Sequence, residues 1–486
     1  HMSNEILNLE PKAIWKHFYS LTQIPRPSKK EERIIEFMKK FGEDLGLETI
    51  VDKVGNVIIK KPATSGMEGK KVVVLQGHLD MVPQKNSDKD HDFETDPIET
   101  MIEDGWVTAN GTTLGSDNGM GVAAAMAVLE ATDLVHPAIE ALFTIDEETG
   151  MTGAFGLEPG ILAGDILINM DSEDEGELYV GCAGGEDCEA QFTYNEESVP
   201  AGYTAFEIKV TGLKGGHSGM DIPLGRGNSN KVLNRFLWHA QREHGLKVAT
   251  VTGGSLRNAI PRESFAIVVV PSDKVEDVKV CFEKYSVTAK AELSVTEPNM
   301  SLELIATDMP AKVMADADQS RILNAVYACP HGVIRMSDGV GVPETSTNMA
   351  IYNIGSGKAE VMNLMRSSVD SAKKDLAQRM TALFELAGAA VTLKGEYPGW
   401  KPNMDSPILK TMSDVYNKNY GKIPEVKVIH AGLECGILGD GYPNWDMISF
   451  GPTIRFPHSP DEKVNIETVG KFWNFLVATL EAIPEK

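Results

Sequence analysis

Cysteine is scarce in this sequence, and the few cysteines form no recognisable pattern. The 486 residues contain five of them, with no Cys-X-X-Cys pair: Cys182, Cys188, Cys281, Cys329 and Cys435. This odd, scattered set excludes a disulfide framework and a zinc site built from thiolates. The first ten residues include acids and no apolar core segment, so we expect no secretory signal and a cytoplasmic location.

Long apolar runs are also missing, and basic residues are fewer than acidic ones. No uninterrupted apolar run approaches the ~18–20 residues that a membrane-spanning helix needs. The 70 acidic residues outnumber the 46 basic ones, which gives a net charge of −24. A surface this negative repels phosphate backbones and anionic lipid headgroups, so nucleic-acid and membrane partners are not expected. The apolar share of 42% and the charged share of 24% are ordinary for a globular protein.

The order of predicted strands and helices indicates one domain interrupted by another. Apolar strands at residues 71–76, 138–145 and 165–170 alternate with helical segments such as 119–129, which favours an α/β fold. Strands with alternating polarity, such as 205–210 and 264–270, follow in the middle of the chain. We therefore predict a catalytic domain with a mostly parallel sheet flanked by helices, interrupted by an inserted α+β domain. The predicted boundaries are 1–184 and 399–486 for the catalytic domain and 185–398 for the insert.

Several residues that could carry chemistry follow predicted strands. His78 and Asp80 end the first buried strand and are two residues apart, so they project to the same side of an extended chain. A metal-bound imidazole needs its second nitrogen oriented, and Asp80 is suited to do that. Asp117 lies in a glycine-rich turn that lacks the phosphate-binding lysine pattern. Taken separately, these segments also fit a solvated strand end and a helix cap.

A run of three acids, another strand-end aspartate and a distal histidine complete the set. Asp146, Glu147 and Glu148 repel one another unless a cation neutralises them, and one glutamate can bind metal while the other carries protons. Asp171 follows a further strand, and His458 lies in a proline-stiffened loop. Each alone also fits an exposed turn. Together, two histidines and three carboxylates form a donor set for a pair of zinc-like ions, with Mn²⁺ or Co²⁺ as substitutes: His78, Asp117, Glu148, Asp171 and His458.

These motifs, in this order, resemble the di-zinc metallopeptidase family that includes carboxypeptidase G, aminoacylase and the carnosinases. The resemblance is carried by segments 76–85, 111–119 and 456–462. It implies that His78 and Asp171 hold one zinc ion, that Glu148 and His458 hold the other, and that the carboxylate of Asp117 bridges the two ions. It also implies a cis peptide bond between Asp117 and Asn118. Asp80 would orient His78, and Glu147 would act as the general base.

The resemblance also implies substrate-binding residues, most of them in the insert, which corresponds to the lid of the family. His217, in a glycine-rich loop, would support the oxyanion, with His331 as a competing lid histidine. Asn258 and Arg366 would bind the terminal carboxylate of the substrate, since the arginine fork pairs bidentately with carboxylates. Glu434 would receive the free amine of the substrate.

Within this family, the motifs are most similar to bacterial dipeptidases that act on Xaa-His dipeptides such as carnosine (β-alanyl-histidine). We therefore predict a cytosolic metallo-dipeptidase with a small dipeptide substrate and two Zn²⁺ ions. A broader dipeptidase or tripeptidase, an N-acyl-amino-acid deacylase and a metal-binding protein without catalysis stay open. The spacing of Cys182 and Cys188 fits no thiol-exchange motif. A monomer and a homodimer are both compatible with the large insert.

Overall fold

A computed structural model describes residues 3–486, and its internal contacts divide the chain into two compact units. Unit 1 comprises the chain up to Gly181 together with Trp400–Val428 and Leu433–Lys486, and unit 2 comprises Cys182–Gly399 and Ile429–Gly432. The predicted boundaries at 184/185 and 398/399 lie close to the first two divisions, although residues 1 and 2 lie outside the described part. The prediction did not foresee that residues Ile429–Gly432 belong to unit 2. The catalytic and lid roles of the two parts stay predictions.

The helices of the described residues alternate with strands throughout the chain. The α-helices are α1 Lys12–Thr22, α2 Glu32–Asp44, α3 Ser116–Glu130, α4 Thr152–Gly156, α5 Ser229–His244, α6 Val275–Glu292, α7 Asp316–Ala328, α8 Asp370–Leu386, α9 Pro407–Tyr420, α10 Glu434–Gly441 and α11 Ile466–Glu481. Short 3-10 helices span Ser3–Asn8, Ile222–Leu224 and Ser272–Lys274. No helix within residues 3–486 is both long and apolar enough to cross a membrane.

The strands are shorter than the helices on average and occur in both units. They are β1 Glu48–Val51, β2 Val57–Lys61, β3 Val73–His78, β4 Thr100–Glu103, β5 Trp106–Ala109, β6 Ile139–Thr144, β7 Ile166–Asn169, β8 Glu177–Cys182, β9 Gly184–Thr193, β10 Glu196–Ser198, β11 Tyr203–Thr211, β12 Lys247–Gly253, β13 Ser264–Pro271, β14 Ser301–Ala306, β15 Lys312–Met314, β16 Gly332–Met336, β17 Pro343–Gly355, β18 Lys358–Ser367, β19 Ala390–Tyr397, β20 Glu425–Ile429, β21 Asp446–Ser449, β22 Ile454–Arg455 and β23 Lys463–Asn465.

Unit 1 is built on a mixed sheet with a parallel centre. Its strand order is β1-β2-β6-β3-β7-β21-β8-β20. The central strands β6, β3, β7 and β21 are parallel, whereas β1, β2 and β6 pair antiparallel and β8 runs antiparallel to β21. Every residue of β3, β6 and β7 is buried. Buried, mostly apolar runs such as these are typical of parallel strands covered on both faces.

The parallel register aligns the carboxyl ends of three central strands. His78 of β3 pairs with Thr144 of β6, and Gln76 of β3 pairs with Asn169 of β7. The predicted strand 71–76 therefore lies two residues further along the chain in the structure, and His78 is its last residue. In open α/β sheets the loops that follow these ends collect the functional groups. The loops after β3, β6 and β7 consequently emerge at one edge of the sheet.

Helix α3 begins irregularly, at the glycine-rich turn that the sequence analysis singled out. Asp117 (φ −90°, ψ 103°) and Asn118 (φ −112°, ψ 32°) lie outside helical geometry, and the peptide bond between them is cis. Gly115, just before the helix, has φ 81°, which favours glycine. A Cβ atom at Gly121 would lie 2.5 Å from the carbonyl oxygen of Met170, so only glycine lets the helix approach the chain after β7 this closely.

Unit 2 contains a nine-stranded antiparallel sheet and four long helices among its described residues. The strand order is β14-β11-β13-β12-β17-β18-β9-β19, with β16 paired to β17. Helices α5 to α8 contribute Phe236, Phe282, Leu323 and Phe384 to the buried cluster that contains Val268 of β13. Helices and an antiparallel sheet within one core agree with the predicted α+β class.

Candidate active site

Each candidate metal ligand of unit 1 lies where a strand ends or where a tight turn begins. His78 ends β3, Glu148 follows β6, Asp171 follows β7, and Asp117 lies in the irregular start of α3. His458 lies in the loop between β22 and β23 and has φ 67°, a left-handed conformation that is uncommon for a residue with a side chain. The structure thus brings all five residues to the same edge of the sheet.

Asp117 lies between the two histidines. Its Oδ1 atom is 3.1 Å from Nε2 of His78, and its Oδ2 atom is 3.1 Å from Nε2 of His458. Glu148 contacts the same His458 nitrogen, with Oε2 at 2.9 Å. Asp171 contacts His78, with Oδ2 at 3.4 Å from Nε2. Because each Asp117 oxygen faces a different histidine, this carboxylate can serve two ions at once.

The ligand atoms form overlapping groups that fit metal binding. Two groups of three share Asp117: one contains His78 and Asp171, and the other contains Glu148 and His458. A third group combines His78 with Glu147 and Glu148. Imidazole nitrogens and carboxylate oxygens are the donors that Zn²⁺, Mn²⁺ and Co²⁺ accept in proteins. This donor set suits a two-metal site, and its arrangement matches the pairing that the family resemblance implies.

The electrostatics of the cluster also favour cations. Burial raises the pKa of Glu147 well above its usual range, and the nearby carboxylates of Glu148 and Asp171 raise it further. Burial likewise raises the pKa of Asp171, with Asp117 adding to the shift. Hydrogen bonds with Asp117 and Glu148 raise the pKa of His458 to about 11. Carboxylates this close cannot all stay ionised in a buried site without positive charge beside them.

Asp80 connects the first histidine to the loop that carries the two glutamates. Its Oδ1 atom lies 3.2 Å from Nδ1 of His78 and accepts a hydrogen bond from the main-chain N–H of Glu147 at 3.0 Å. Its Oδ2 atom accepts from the N–H of Glu148 at 3.1 Å and from the hydroxyl of Ser28 at 2.6 Å. Such partners fix the ring orientation of a ligating histidine.

Glu462 is a buried residue whose role the sequence analysis missed. Its Oε1 atom accepts hydrogen bonds from the N–H groups of Leu114 and Gly115, at 2.9 and 3.0 Å. Its Oε2 atom accepts from the Ser116 hydroxyl at 2.7 Å and from the Asp117 N–H at 3.1 Å. Glu462 follows His458 by four residues, so one carboxylate ties the His458 loop to the Asp117 turn. No spacing rule in the sequence reveals this contact.

Glu434 lies in the same unit, with one oxygen bonded and the other free. Oε1 accepts from Thr144 Oγ1 at 2.8 Å and from Gln76 Nε2 at 3.0 Å. Oε2 is buried and has no hydrogen-bond partner among residues 3–486. Burial raises the pKa of Glu434 to about 7. A buried oxygen without a partner is costly unless a ligand supplies a donor.

The other predicted substrate-binding residues lie in unit 2. Nδ1 of His217 accepts from the N–H groups of Gly219 and Met220, each at 3.0 Å, so the neutral ring carries its proton on Nε2. Arg366 is buried, and its guanidinium donates to the Ser218 hydroxyl, at 3.0 Å from Nη2. Asn258 lies on an exposed turn, where its main-chain carbonyl accepts from the Ser218 N–H.

Burial lowers the pKa of two further histidines of unit 2. His331, the competing lid histidine, accepts at Nδ1 from the side chain of Asn228 and the N–H of Met349, and burial lowers its pKa to about 4. His430, which the sequence analysis missed, lies 2.7 Å from the Ser346 hydroxyl. Burial and the nearby Arg366 lower the pKa of His430 to about 3. No motif surrounds His430 in the sequence, so only the structure reveals its position.

Comparisons with known proteins point to one family of peptidases. A family model described as peptidase family M20/M25/M40 matches residues 74–482. The cytosol non-specific dipeptidase of Escherichia coli (strain K12) is 47% identical over 487 residues, spanning 99% of this chain and 100% of that protein. The crystal structure of aminoacylhistidine dipeptidase from Vibrio alginolyticus has a TM-score of 0.95 and 50% identity, with 100% of both chains covered.

A more distant likeness concerns the fold alone. The structure of aminopeptidase PepT from Bacillus cereus ATCC 10987 has a TM-score of 0.58 at 16% identity, with 98% of this chain and 99% of that chain covered. The predicted fold class, a helix-flanked α/β domain with an α+β insert, is confirmed by the high similarity to the Vibrio structure.

Proposed function

This chain belongs to peptidase family M20/M25/M40, and on that basis we propose that it is a di-zinc dipeptidase that hydrolyses Xaa-His dipeptides such as β-alanyl-histidine. Membership of the family makes the chain a hydrolase and a metallopeptidase. The use of zinc, the preference for histidine and the roles of individual residues are what we propose. The observation that carries it is the position of Asp117, which offers one oxygen to each of two histidines.

Five residues of unit 1 would hold the ions. His78 and Asp171 would bind one, Glu148 and His458 the other, and Asp117 both. When bound, two such ions would lower the pKa of a water molecule and polarise the scissile carbonyl group. Asp80 keeps His78 oriented, and it holds the backbone of both glutamates through their N–H groups.

Glu147 would move the proton. It lies beside the ligands, with Oε2 3.4 Å from Nε2 of His78, and burial together with its acidic neighbours raises its pKa. A carboxylate with a raised pKa accepts a proton from water more readily and can return it to the leaving amine. Its Oε atoms therefore take the proton as water attacks and release it as the peptide bond breaks.

Two charged groups would recognise the ends of a dipeptide. The free Oε2 of Glu434 would accept hydrogen bonds from the ammonium group of the substrate. No carboxylate among the described residues forms an ion pair with Arg366, whose partners are hydroxyl groups, so the terminal carboxylate of the substrate would complete its pairing. We assign His217 to the developing oxyanion, through its Nε2–H, and Asn258 to the same carboxylate as Arg366.

A broader dipeptidase is the second candidate, and the names of the two relatives differ on this point. One relative is called a non-specific dipeptidase and the other an aminoacylhistidine dipeptidase. An N-acyl-amino-acid deacylase is disfavoured by Glu434, because an acylated nitrogen carries no charge to pair with a buried carboxylate. The Escherichia coli relative is cytosolic by name, and we propose the same location here.

The zinc-loaded enzyme tests this proposal with β-Ala-His and Gly-Leu as parallel substrates. A higher kcat/KM for β-Ala-His supports the histidine preference. Equal or faster cleavage of Gly-Leu keeps the dipeptidase and removes the preference. Hydrolysis of N-acetyl-amino acids without cleavage of either dipeptide contradicts the dipeptidase assignment.

A further inference from the structure

A chain of buried side chains joins Glu434 to the backbone of the candidate metal ligand Asp171. Gln76 donates from Nε2 to Oε1 of Glu434 at 3.0 Å and accepts at Oε1 from Asn169 Nδ2 at 2.5 Å. Oδ1 of Asn169 accepts in turn from the N–H of Asp171 at 3.1 Å. Gln76, Asn169 and Glu434 are each at most 2% exposed, so water does not compete for these bonds.

The chemistry at the two ends fixes the direction of this chain. A backbone N–H can only donate, so the Asn169 side chain must present its oxygen to Asp171 and its nitrogen to Gln76. Gln76 must then present its oxygen to Asn169 and its nitrogen to Glu434. An ionised carboxylate can only accept, which fits that nitrogen. The amide orientations of both residues are therefore determined by their partners rather than chosen between equivalent alternatives.

The same network explains why only one oxygen of Glu434 is free. Gln76 Nε2 also lies 3.2 Å from the Thr144 hydroxyl, which itself donates to Oε1 of Glu434 at 2.8 Å. Oε1 thus receives two donors, and Oε2 receives none from the described residues. Removing the Gln76 amide would let the carboxylate rotate and would leave the Asn169 nitrogen without its acceptor.

We propose that Gln76 is a positioning residue that makes the active site selective for substrates with a free amino group, by holding Glu434 with Oε2 open toward the ammonium. This inference rests on the proposed function, in which Glu434 binds that ammonium. Gln76 does not contact the substrate. It acts through Glu434, and its own orientation is set by Asn169 and the Asp171 backbone next to the metal ligands.

The test compares a ligand with an ammonium group and one without it. KM and kcat are measured for Gly-Leu, and the inhibition constant is measured for N-acetyl-Gly-Leu, in Gln76→Met, Glu434→Gln and the double variant. Methionine keeps the length of glutamine without its hydrogen bonds. We expect Gln76→Met to raise the KM of Gly-Leu about 10- to 100-fold, the range for a lost hydrogen bond to a charged group. The inhibition constant of N-acetyl-Gly-Leu should change less than about twofold.

The matched control is Gln84→Met, since Gln84 is exposed in the same unit and should leave both constants unchanged. Metal content is measured for every variant. Gln76→Asn, which keeps the amide but shortens its reach, replaces Gln76→Met if the methionine variant does not fold. The KM of Gly-Leu should be no higher for the double variant than for Glu434→Gln alone, because the effects of two residues that act through one another are not additive.

The possible outcomes separate the positioning role from the proposed function. If Glu434→Gln raises the KM of Gly-Leu but the Gln76 variants do not, the positioning role is wrong and the amine site survives. If Glu434→Gln leaves the KM of Gly-Leu unchanged, the amine site itself is wrong. If Gln76→Met raises the KM of Gly-Leu and the inhibition constant of N-acetyl-Gly-Leu by the same factor, Gln76 only stabilises the fold. The same conclusion follows if the effects of the two substitutions on the KM of Gly-Leu are additive in the double variant.

Discussion

Unit 1 gathers several carboxylates at its candidate site, whereas unit 2 buries a single guanidinium, that of Arg366, among hydroxyl partners. In unit 1, burial and neighbouring acids raise the pKa values of Glu147 and Asp171. In unit 2, burial lowers the pKa of Arg366, and Arg257 lowers it further. Both places therefore hold groups whose charged forms are disfavoured without a partner of opposite sign. The carboxylates of unit 1 suit cations, and the guanidinium of Arg366 suits an anion such as a carboxylate.

This contrast also separates two kinds of chemistry. In the proposed function, the groups of unit 1 serve proton transfer and metal binding, since both oxygens of Asp117 lie close to histidine nitrogens. In the same proposal, the planar guanidinium of Arg366 binds the substrate carboxylate, and the hydroxyls of Ser218 and Tyr397 hold it in place. Substitution of Glu147 should consequently change kcat, and substitution of Arg366 should change KM.

The largest effect is expected for Glu147→Gln, which removes the proton acceptor and keeps the shape. We predict that kcat on Gly-Leu falls about 10²- to 10⁴-fold, the usual contribution of a general base. Metal content should stay the same, because none of the five proposed ligands is changed. Steady-state kinetics and metal analysis of the same preparation check this. Unchanged turnover would remove Glu147 from the mechanism.

Glu462→Gln tests whether the turn of Asp117 and the loop of His458 depend on one carboxylate. An amide group cannot accept the four hydrogen bonds that Glu462 receives, so the two ligands should lose their relative position. We predict a metal affinity about 10- to 100-fold lower, the range for partners that orient metal ligands. Calorimetric titration of the apo-protein with Zn²⁺ measures it.

The control for that experiment is Glu467→Gln, because Glu467 is an exposed glutamate of the following helix, α11. It should bind Zn²⁺ like the wild type. If the wild type, Glu462→Gln and Glu467→Gln bind Zn²⁺ with the same affinity, Glu462 does not position the metal ligands.

Arg366→Lys tests the buried guanidinium of unit 2. Lysine keeps the charge but loses the planar fork, so the KM of Gly-Leu should rise about 10- to 100-fold, as for lost bonds to a charged group. The C-terminal amide of Gly-Leu lacks the carboxylate and provides the comparison. The KM of this amide should be equally high for the wild type and for Arg366→Lys. A further loss on the amide substrate would show that Arg366 acts on something other than the carboxylate.

The smallest effect concerns pH and Glu434. Burial raises the pKa of this carboxyl to about 7, so it is ionised above that pH and neutral below it. A neutral carboxyl cannot pair with an ammonium, and the KM of Gly-Leu should rise roughly fivefold from pH 7 to pH 6, as for one titrating group. The Glu434→Gln variant should lack this rise. A wild-type KM that is independent of pH in this range would argue against an amine site at Glu434.

The candidate site of unit 1 could be predicted from sequence because its residues follow strands. A buried apolar strand followed by His78 or Asp171 is visible in the sequence, and parallel strands bring their ends together. Glu462 and Gln76 could not be assigned roles in this way. Their contacts cross more than 300 residues of sequence, to Asp117 and Glu434 respectively, and depend on side-chain geometry.

The fold could be predicted in outline and less well in detail. The pattern of strands and helices indicates both units, but the return of 429–432 to unit 2 carries no compositional signal. The antiparallel strands β1 and β2 at one edge of the sheet, and β8 beyond β21, were likewise not distinguished from the parallel centre, because the direction of a strand depends on how the chain connects it to its neighbours.

The shared role of Asp117 is tested most directly by stepwise Zn²⁺ titration of Asp117→Asn beside Asp171→Asn and Glu148→Gln. If Asp117 serves both ions, Asp117→Asn weakens both binding steps, whereas each of the other two variants weakens one step and leaves the second near the wild-type value. If Asp117→Asn weakens a single step, or if the wild type binds one ion only and is fully active with it, the two-metal site built around Asp117 is contradicted.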